Sequence, residues 1–108
     1  MEGLEFICFK IISSAGIAKS SYIKAIQCAK KGDFEKSRDL IIEGKNQFME
    51  AHRVHLELIN KEVTTGNVEV NLLLVHAEDQ LISTQTCRMI AEEVIECYER
   101  IIELEKKI

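Results

Sequence analysis

The sequence predicts an all-α chain, an antiparallel bundle of three helices, and three observations point there. It contains no proline and only five glycines, so nothing forces a kink over long spans. Its apolar residues recur at steps of three, four and seven, and no stretch alternates cleanly as a half-buried strand would. Two short polar breaks separate three long segments. At 108 residues, one domain over 1–108 can bury a modest core. The balance of 46% hydrophobic to 30% charged residues is that of a soluble globular chain and argues against disorder.

The first helix is expected over 3–31, with Phe6, Phe9, Ile12, Gly16, Ile23, Ile26 and Ala29 as its apolar stripe. It ends at Lys31-Gly32-Asp33-Phe34, where Gly32 can close one helix and Asp33 can cap the next. Lys36 stands where a capping box needs Glu or Gln, so Asp33 caps alone. The second helix is expected over 34–62, with Phe34, Ile41, Phe48, Ala51, Val54 and Leu58 on one side. The polar stretch Val63-Thr64-Thr65-Gly66-Asn67 follows.

The third helix is expected over 67–107, on a stripe of Val70, Leu73, Ala77, Gln80, Thr84, Cys87, Ala91, Val94, Tyr98 and Ile101. About 40 residues at ~1.5 Å each make a rod of ~60 Å. Leu72, Leu73, Leu74 and Val75 point in four directions ~100° apart, and two neighbouring helices cover only part of that circumference. The remainder predicts burial against other subunits. From Glu92 onward a solvated face returns, with Glu96–Arg100 and Glu103–Lys107 as surface pairs. Lys106 and Lys107 suit the negative end of the helix dipole.

Several function classes fall away. The net charge is −4, and no basic stripe is interleaved with aromatics, so nucleic acid is not an expected partner. The apolar run Leu72–Val75 is far short of the ~20 residues of a membrane span, so no direct membrane insertion is expected. In MEGLEFICFKII, acidic Glu2 and Glu5 precede the apolar residues and Lys10 interrupts them, unlike a secretory signal. The chain reads as cytoplasmic. Cys8, Cys28, Cys87 and Cys97 have no zinc-finger or CxxC spacing and read as small hydrophobes.

SAGIAKSS at 14–21 echoes a phosphate-binding loop, but Ala18 precedes Lys19 where a glycine is required, and the context is helical. His52 and His55 lie three apart, whereas a zinc helix of the HExxH type needs four, so they read as polar residues of an amphipathic helix. Glu92 and Glu93 diverge by ~100° and form no acid/base pair.

What remains is VNLLLVHAEDQLI at 70–82, where His76 and Asp79 interrupt the most apolar stretch of the chain. At i and i+3 they project to similar sides of a helix, with Gln80 the i+4 neighbour of His76. Ser83 and Thr86 continue that stripe without requiring a triad. For the histidine alone, a hydrogen-bonded structural residue is the favoured reading, ahead of a functional one. Burying an unpaired carboxylate costs several kcal/mol, on the order given by desolvation. In a symmetric oligomer, copies of Asp79 meeting near the axis would raise one another's pKa or recruit a hard cation such as magnesium.

These residues resemble the lactose/cellobiose-class enzyme IIA family of the bacterial phosphoenolpyruvate-dependent sugar phosphotransferase system. LLLVHAEDQLI is similar to that family's L-x-x-V-H-A-Q-D-H-L-M, and IISSAGIAKSS, AIQCAKKGDF and Ala51-His52 add to it in the same order. The resemblance implies a homotrimer of nine helices and a phosphotransferase component. It implies that His76 accepts a phosphoryl group from the phosphocarrier HPr and passes it to a cysteine of enzyme IIB during uptake of a cellobiose-, chitobiose- or lactose-type sugar. It also implies that Asp79 lies at the trimer centre and binds a divalent cation, usually magnesium.

Three positions depart from the family pattern: Glu78, Gln80 and Ile82 stand for glutamine, histidine and methionine. Gln80 can donate a hydrogen bond to a phosphate but no charge. Glu78 sets a negative charge beside an incoming phosphoryl group unless it points away. The alternatives are a helical oligomerisation or regulatory module without transfer, and a dedicated metal-binding bundle.

Overall fold

The computed structural model describes residues 2–108, apart from the Glu2 side chain; Met1, where the expected domain begins, lies outside the described residues. Three helices make up the chain, α1 (Glu2–Lys30), α2 (Phe34–Thr65) and α3 (Leu72–Lys106), and the described residues contain no strand. Their antiparallel packing gives a rod of 62 × 21 × 16 Å. The backbone of α1 runs close along both other helices, whereas those of α2 and α3 lie farther apart and meet through their side chains.

That central position decides which side of α1 is buried. Leu4, Cys8, Ile11, Ala15, Ala18, Tyr22, Ala25 and Ala29 form the inward line, in alternating steps of four and three. The period matches the expectation but the phase does not. Phe6, Phe9, Gly16 and Ile23 of the expected stripe are exposed, and Ile12 and Ile26 are half-buried. A helix flanked on two sides packs closely where its side chains are small, so from Ala15 onward the inward line is alanine except at Tyr22, while Leu4 and Ile11 fill the wider end of the core. Tyr22 needs Gly44 of α2 opposite it. A Cβ on Gly44 would lie 2.5 Å from Tyr22 Cε1, too close for a fully buried ring to avoid.

The α1–α2 turn forms as the sequence suggests. Gly32 adopts a left-handed φ of 86°, and Asp33 accepts a hydrogen bond from the Lys36 backbone N–H at 3.2 Å. The second connection differs. α2 continues to Thr65, whose hydroxyl donates back to the Lys61 carbonyl, and Gly66 at φ 65° closes it by donating to the Glu62 carbonyl at 2.7 Å. Residues 67–71 lie outside any helix, and α3 starts at Leu72, five residues later than expected. Asn71 is the reason: extended at φ −140°, ψ 176°, it accepts from the Leu74 N–H at 2.9 Å and caps α3. At 35 residues α3 is therefore shorter than expected, ~52 Å at ~1.5 Å per residue.

The core has two clusters along the rod, with Phe48 packed against both. One gathers Leu4, Cys8 and Ile11 with Ala51, Val54 and Leu58 and with Leu74, Ala77 and Leu81, and it supports the first turns of α3. The other lies toward the α1–α2 turn, around Tyr22, Ile41 and Ile95.

Candidate functional site

The residues singled out from the sequence all lie in the first three turns of α3, and helical geometry distributes them over its sides. The inner side, facing α1 and α2, is Leu74, Ala77, Leu81, Thr84, Ala91 and Ile95. Thr84 meets its polar need there by donating to the Ala15 carbonyl of α1 at 3.3 Å. The outer side is a second line at alternating steps of three and four: Leu72, Val75, Asp79, Ile82, Thr86, Met89 and Glu93. All seven are exposed in the protomer, Leu72 at 84% and Ile82 at 62%, so none of the described residues covers them.

His76 lies on the flank between these lines, on the side that faces α1, together with Gln80, Ser83 and Cys87. Lys19 of α1 reaches this flank and donates from Nζ to Ser83 Oγ at 2.9 Å. His76 itself is exposed and makes no hydrogen bond or ion pair among the described residues. Its ring nitrogens are thus open to a reaction partner. Gln80, one turn further, is half-buried on the same flank and brings an amide, not a charge.

Glu78 leaves α3 about 200° from His76, on the opposite flank, which faces α2. There its Oε1 lies 2.7 Å from Nε2 of His55. The carboxylate therefore points away from His76 and is held where it points. Cys8 of α1 is near enough for the Glu78 charge, after burial itself, to push its thiol pKa up. Sequence reasoning paired His55 with His52 and missed Glu78, because a pair between two helices depends on their register. His52 stays exposed, as a polar residue of the α2 surface.

Asp79 was expected as an embedded charge. In the protomer it is exposed on the outer line, with Val75 and Ile82 as its neighbours four before and three after. It has no ion-pair partner among the described residues, and no group of three metal-ligating side chains occurs there. A free carboxylate is the donor a hard cation takes, yet one chain brings one carboxylate, so the residues fit magnesium only where several copies meet.

A family model settles the relationship. The model described as "PTS system, Lactose/Cellobiose specific IIA subunit" matches residues 6–99. The chain belongs to this family. The lactose/cellobiose IIA chain is 39% identical over 102 residues to the lichenan-specific phosphotransferase enzyme IIA component of Bacillus subtilis strain 168, covering 94% of this chain and 93% of the relative. It is similar to the crystal structure of the PTS cellobiose-specific enzyme IIA from Bacillus anthracis, with TM-score 0.87 and 32% identity over 90% of this chain and 89% of the other. It is also similar to a chain in the solution structures of the IIA(chitobiose)–HPr complex from the Escherichia coli phosphotransferase system. There the TM-score is 0.80 and the identity 32%, over 91% and 95% of the two chains.

This IIA family member is accordingly a component of the sugar phosphotransferase system, with the all-helical fold of its solved relatives. Among its described residues no helix is long and apolar enough to cross a membrane.

Proposed function

We propose that this chain is a phosphohistidine carrier, working in the cytoplasm, in which His76 accepts a phosphoryl group from HPr and hands it to a cysteine of the cognate enzyme IIB. The observation that carries the reading is the free, exposed imidazole of His76 on a rigid helix of a IIA-family chain. A neutral imidazole keeps a nucleophilic lone pair near pH 7. That nitrogen attacks phosphorus while the bond to the donor breaks and the donor keeps the electron pair. In the second step a cysteine thiolate attacks the same phosphorus, the N–P bond breaks, and His76 returns to its neutral form. Each step depends on alignment and charge placement, which a helix mounted on a packed core supplies. Gln80 is placed to donate a hydrogen bond to the phosphoryl oxygens, and the turning away of Glu78 removes the nearest repulsion.

The carrier is a homotrimer. The outer line of α3 supports this, because its steps of three and four are those of a helix seam in a coiled coil, and none of the described residues covers it. Three such lines around one axis would bring together three copies of Asp79, which would hold a divalent cation, magnesium being the natural guest. That cation would neutralise the three carboxylates; it takes no part at His76. The flank position of His76 then sets it in the groove between protomers, open to both partners in turn. The sugar, carried by the membrane subunit, is of the cellobiose, chitobiose or lactose type.

Incubation with phosphoenolpyruvate, enzyme I and HPr tests the reading. The chain is expected to gain one acid-labile phosphate, and His76→Gln none. A wild-type chain left unlabelled, while the same partners phosphorylate another IIA, would leave a helical module without transfer.

A further inference from the structure

α2 carries an exposed apolar line that the described residues leave bare: Ile42, Met49, Leu56, Ile59 and Val63, at steps of seven, three and four. His52 stands in the same line, three residues after Met49 and four before Leu56. It is exposed and makes no hydrogen bond or ion pair among the described residues. The line runs one residue, ~100°, round from the inner residues Ile41, Ala51 and Leu58. It lies on the side of α2 from which Lys45 reaches Glu92 and His55 reaches Glu78. The bare side of α2 therefore adjoins α3.

A three-fold axis along the outer line of α3 fixes what this side of α2 meets. In each protomer α2 lies on the Glu78 flank of α3, ~200° round from His76. Rotation sets two further α3 helices against the outer line, and the α2 of one of them falls on the other flank. His76 projects there, between that α2 and its own α1. Rotation about an axis parallel to the helices changes no heights. His55 is level with Glu78, and α2 runs against α3, since His55 pairs with Glu78 and Lys45 with Glu92. Three residues from His55, or ~4.5 Å along α2, His52 comes level with Gln80, one turn from His76. In its own protomer α3 stands between His52 and His76, so the two meet only between protomers.

We propose that α2 of the adjacent protomer closes the groove at His76, and that His52 of the partner subunit donates a hydrogen bond to the phosphoryl group there. The proposal deepens the phosphoryl-carrier reading and rests on it and on its trimer. A phosphoryl group in transit carries negative charge on its outer oxygens and is stabilised by donors aimed at them. On α3 the Gln80 amide is one turn from His76, whereas Lys19 is two turns away and engaged with Ser83. Arg53, beside His52, is engaged by Glu50 and Glu57. His52 is unengaged, and an imidazole has an N–H to give whether neutral or protonated. It takes no proton and forms no bond to phosphorus, so the bonds made and broken at His76 are unchanged. Leu56 and Ile59 of the same line face the groove with it and keep water from the N–P bond.

The test is complementation between two defective full-length chains, with phosphoenolpyruvate, enzyme I and HPr. His52→Ala alone is expected to lower the limiting rate of His76 phosphorylation about tenfold. His76→Gln alone takes no phosphate but keeps His52. When the two are co-expressed in equal amounts and assemble at random, half of the His52→Ala protomers have a His76→Gln partner on the donating side. Half of the label should then appear at the wild-type rate and half at the slow rate. A mixture that is slow throughout places the effect of His52 within one chain and overturns the proposal. A His52→Ala chain as fast as wild type overturns it too. A second readout needs no transfer. A His52→Cys chain co-expressed with a His76→Cys chain should give a covalent dimer with a short bis-maleimide, and neither chain alone should. Absence of that dimer, or a wild type that sediments as a monomer, sinks the shared groove. A wild type that takes no phosphate, while the cysteine pair still cross-links, would remove the carrier reading and the donor role of His52 and leave the shared groove standing.

Discussion

α3 carries two apolar lines on opposite sides, built on the same steps of three and four, and they meet different surroundings. The inner line, Leu74 to Ile95, is buried against α1 and α2. The outer line, Leu72 to Glu93, is bare in the protomer and contains Asp79, Thr86 and Glu93 among its apolar residues. The inner line also has a polar residue, Thr84, but that one is satisfied by the Ala15 carbonyl. Period alone cannot tell a core from an interface; the treatment of polar groups can. A line buried within a chain generally satisfies its polar atoms there, the Tyr22 hydroxyl of α1 being the one buried side-chain atom among the described residues that has no partner, whereas an interface can leave that to an assembled partner.

The difference is tested first at adjacent residues. Ile82→Asp puts a carboxylate into the outer line, where burial in a trimer would cost several kcal/mol per copy, on the order of an unpaired charge. Sedimentation velocity should then show protomers with helical content retained. A trimer that survives the change would mean the outer line is not the seam. Leu81→Ala, one residue earlier but on the inner line, should instead lower folding stability by ~2–5 kcal/mol in denaturant titration. Its oligomeric state should follow wild type wherever the chain is folded. A loss under ~1 kcal/mol would show that the inner line is loosely packed.

Asp79→Leu gives the smallest change and reverses the sign. Replacing like charges at an axis with apolar side chains should keep or tighten the assembly, by ~1–4 kcal/mol on the scale of buried ionic groups replaced by hydrophobic ones. Sedimentation with and without a chelator reads it. Dissociation of the variant, or of wild type on chelation, would make the cation a structural requirement in place of a neutralising guest.

Much of the fold was legible before any coordinates. Three helices, the Gly32–Asp33 turn and the buried side of α2 follow from turn chemistry and spacing, which act within a few residues of one another. The start of α3 was also written locally, in an asparagine directly before a leucine run, but the longer periodic pattern through Val70 outweighed it. The phase of α1 could not be read in the same way. Large Phe6 and Phe9 and small Ala15 and Ala18 both recur with helical spacing, and only the presence of a helix on each side selects the small ones.

The candidate site divides likewise. His76, Asp79 and Gln80 stand in one short run, and their places around a helix follow from sequence numbers. Whether Glu78 would crowd His76 required knowing what holds it, and that is His55, 23 residues earlier on another helix. Lys19 was visible only as a failed phosphate-loop motif until α1 was laid against α3 and its ammonium met Ser83, 64 residues away. The sequence by itself determined the elements, their period and the run that carries the imidazole, because those depend on neighbours along the chain. The tertiary structure alone decided which line became core, which stayed bare and which side chains of α1 and α2 bond to α3, because those depend on the register between helices that the chain brings together only on folding.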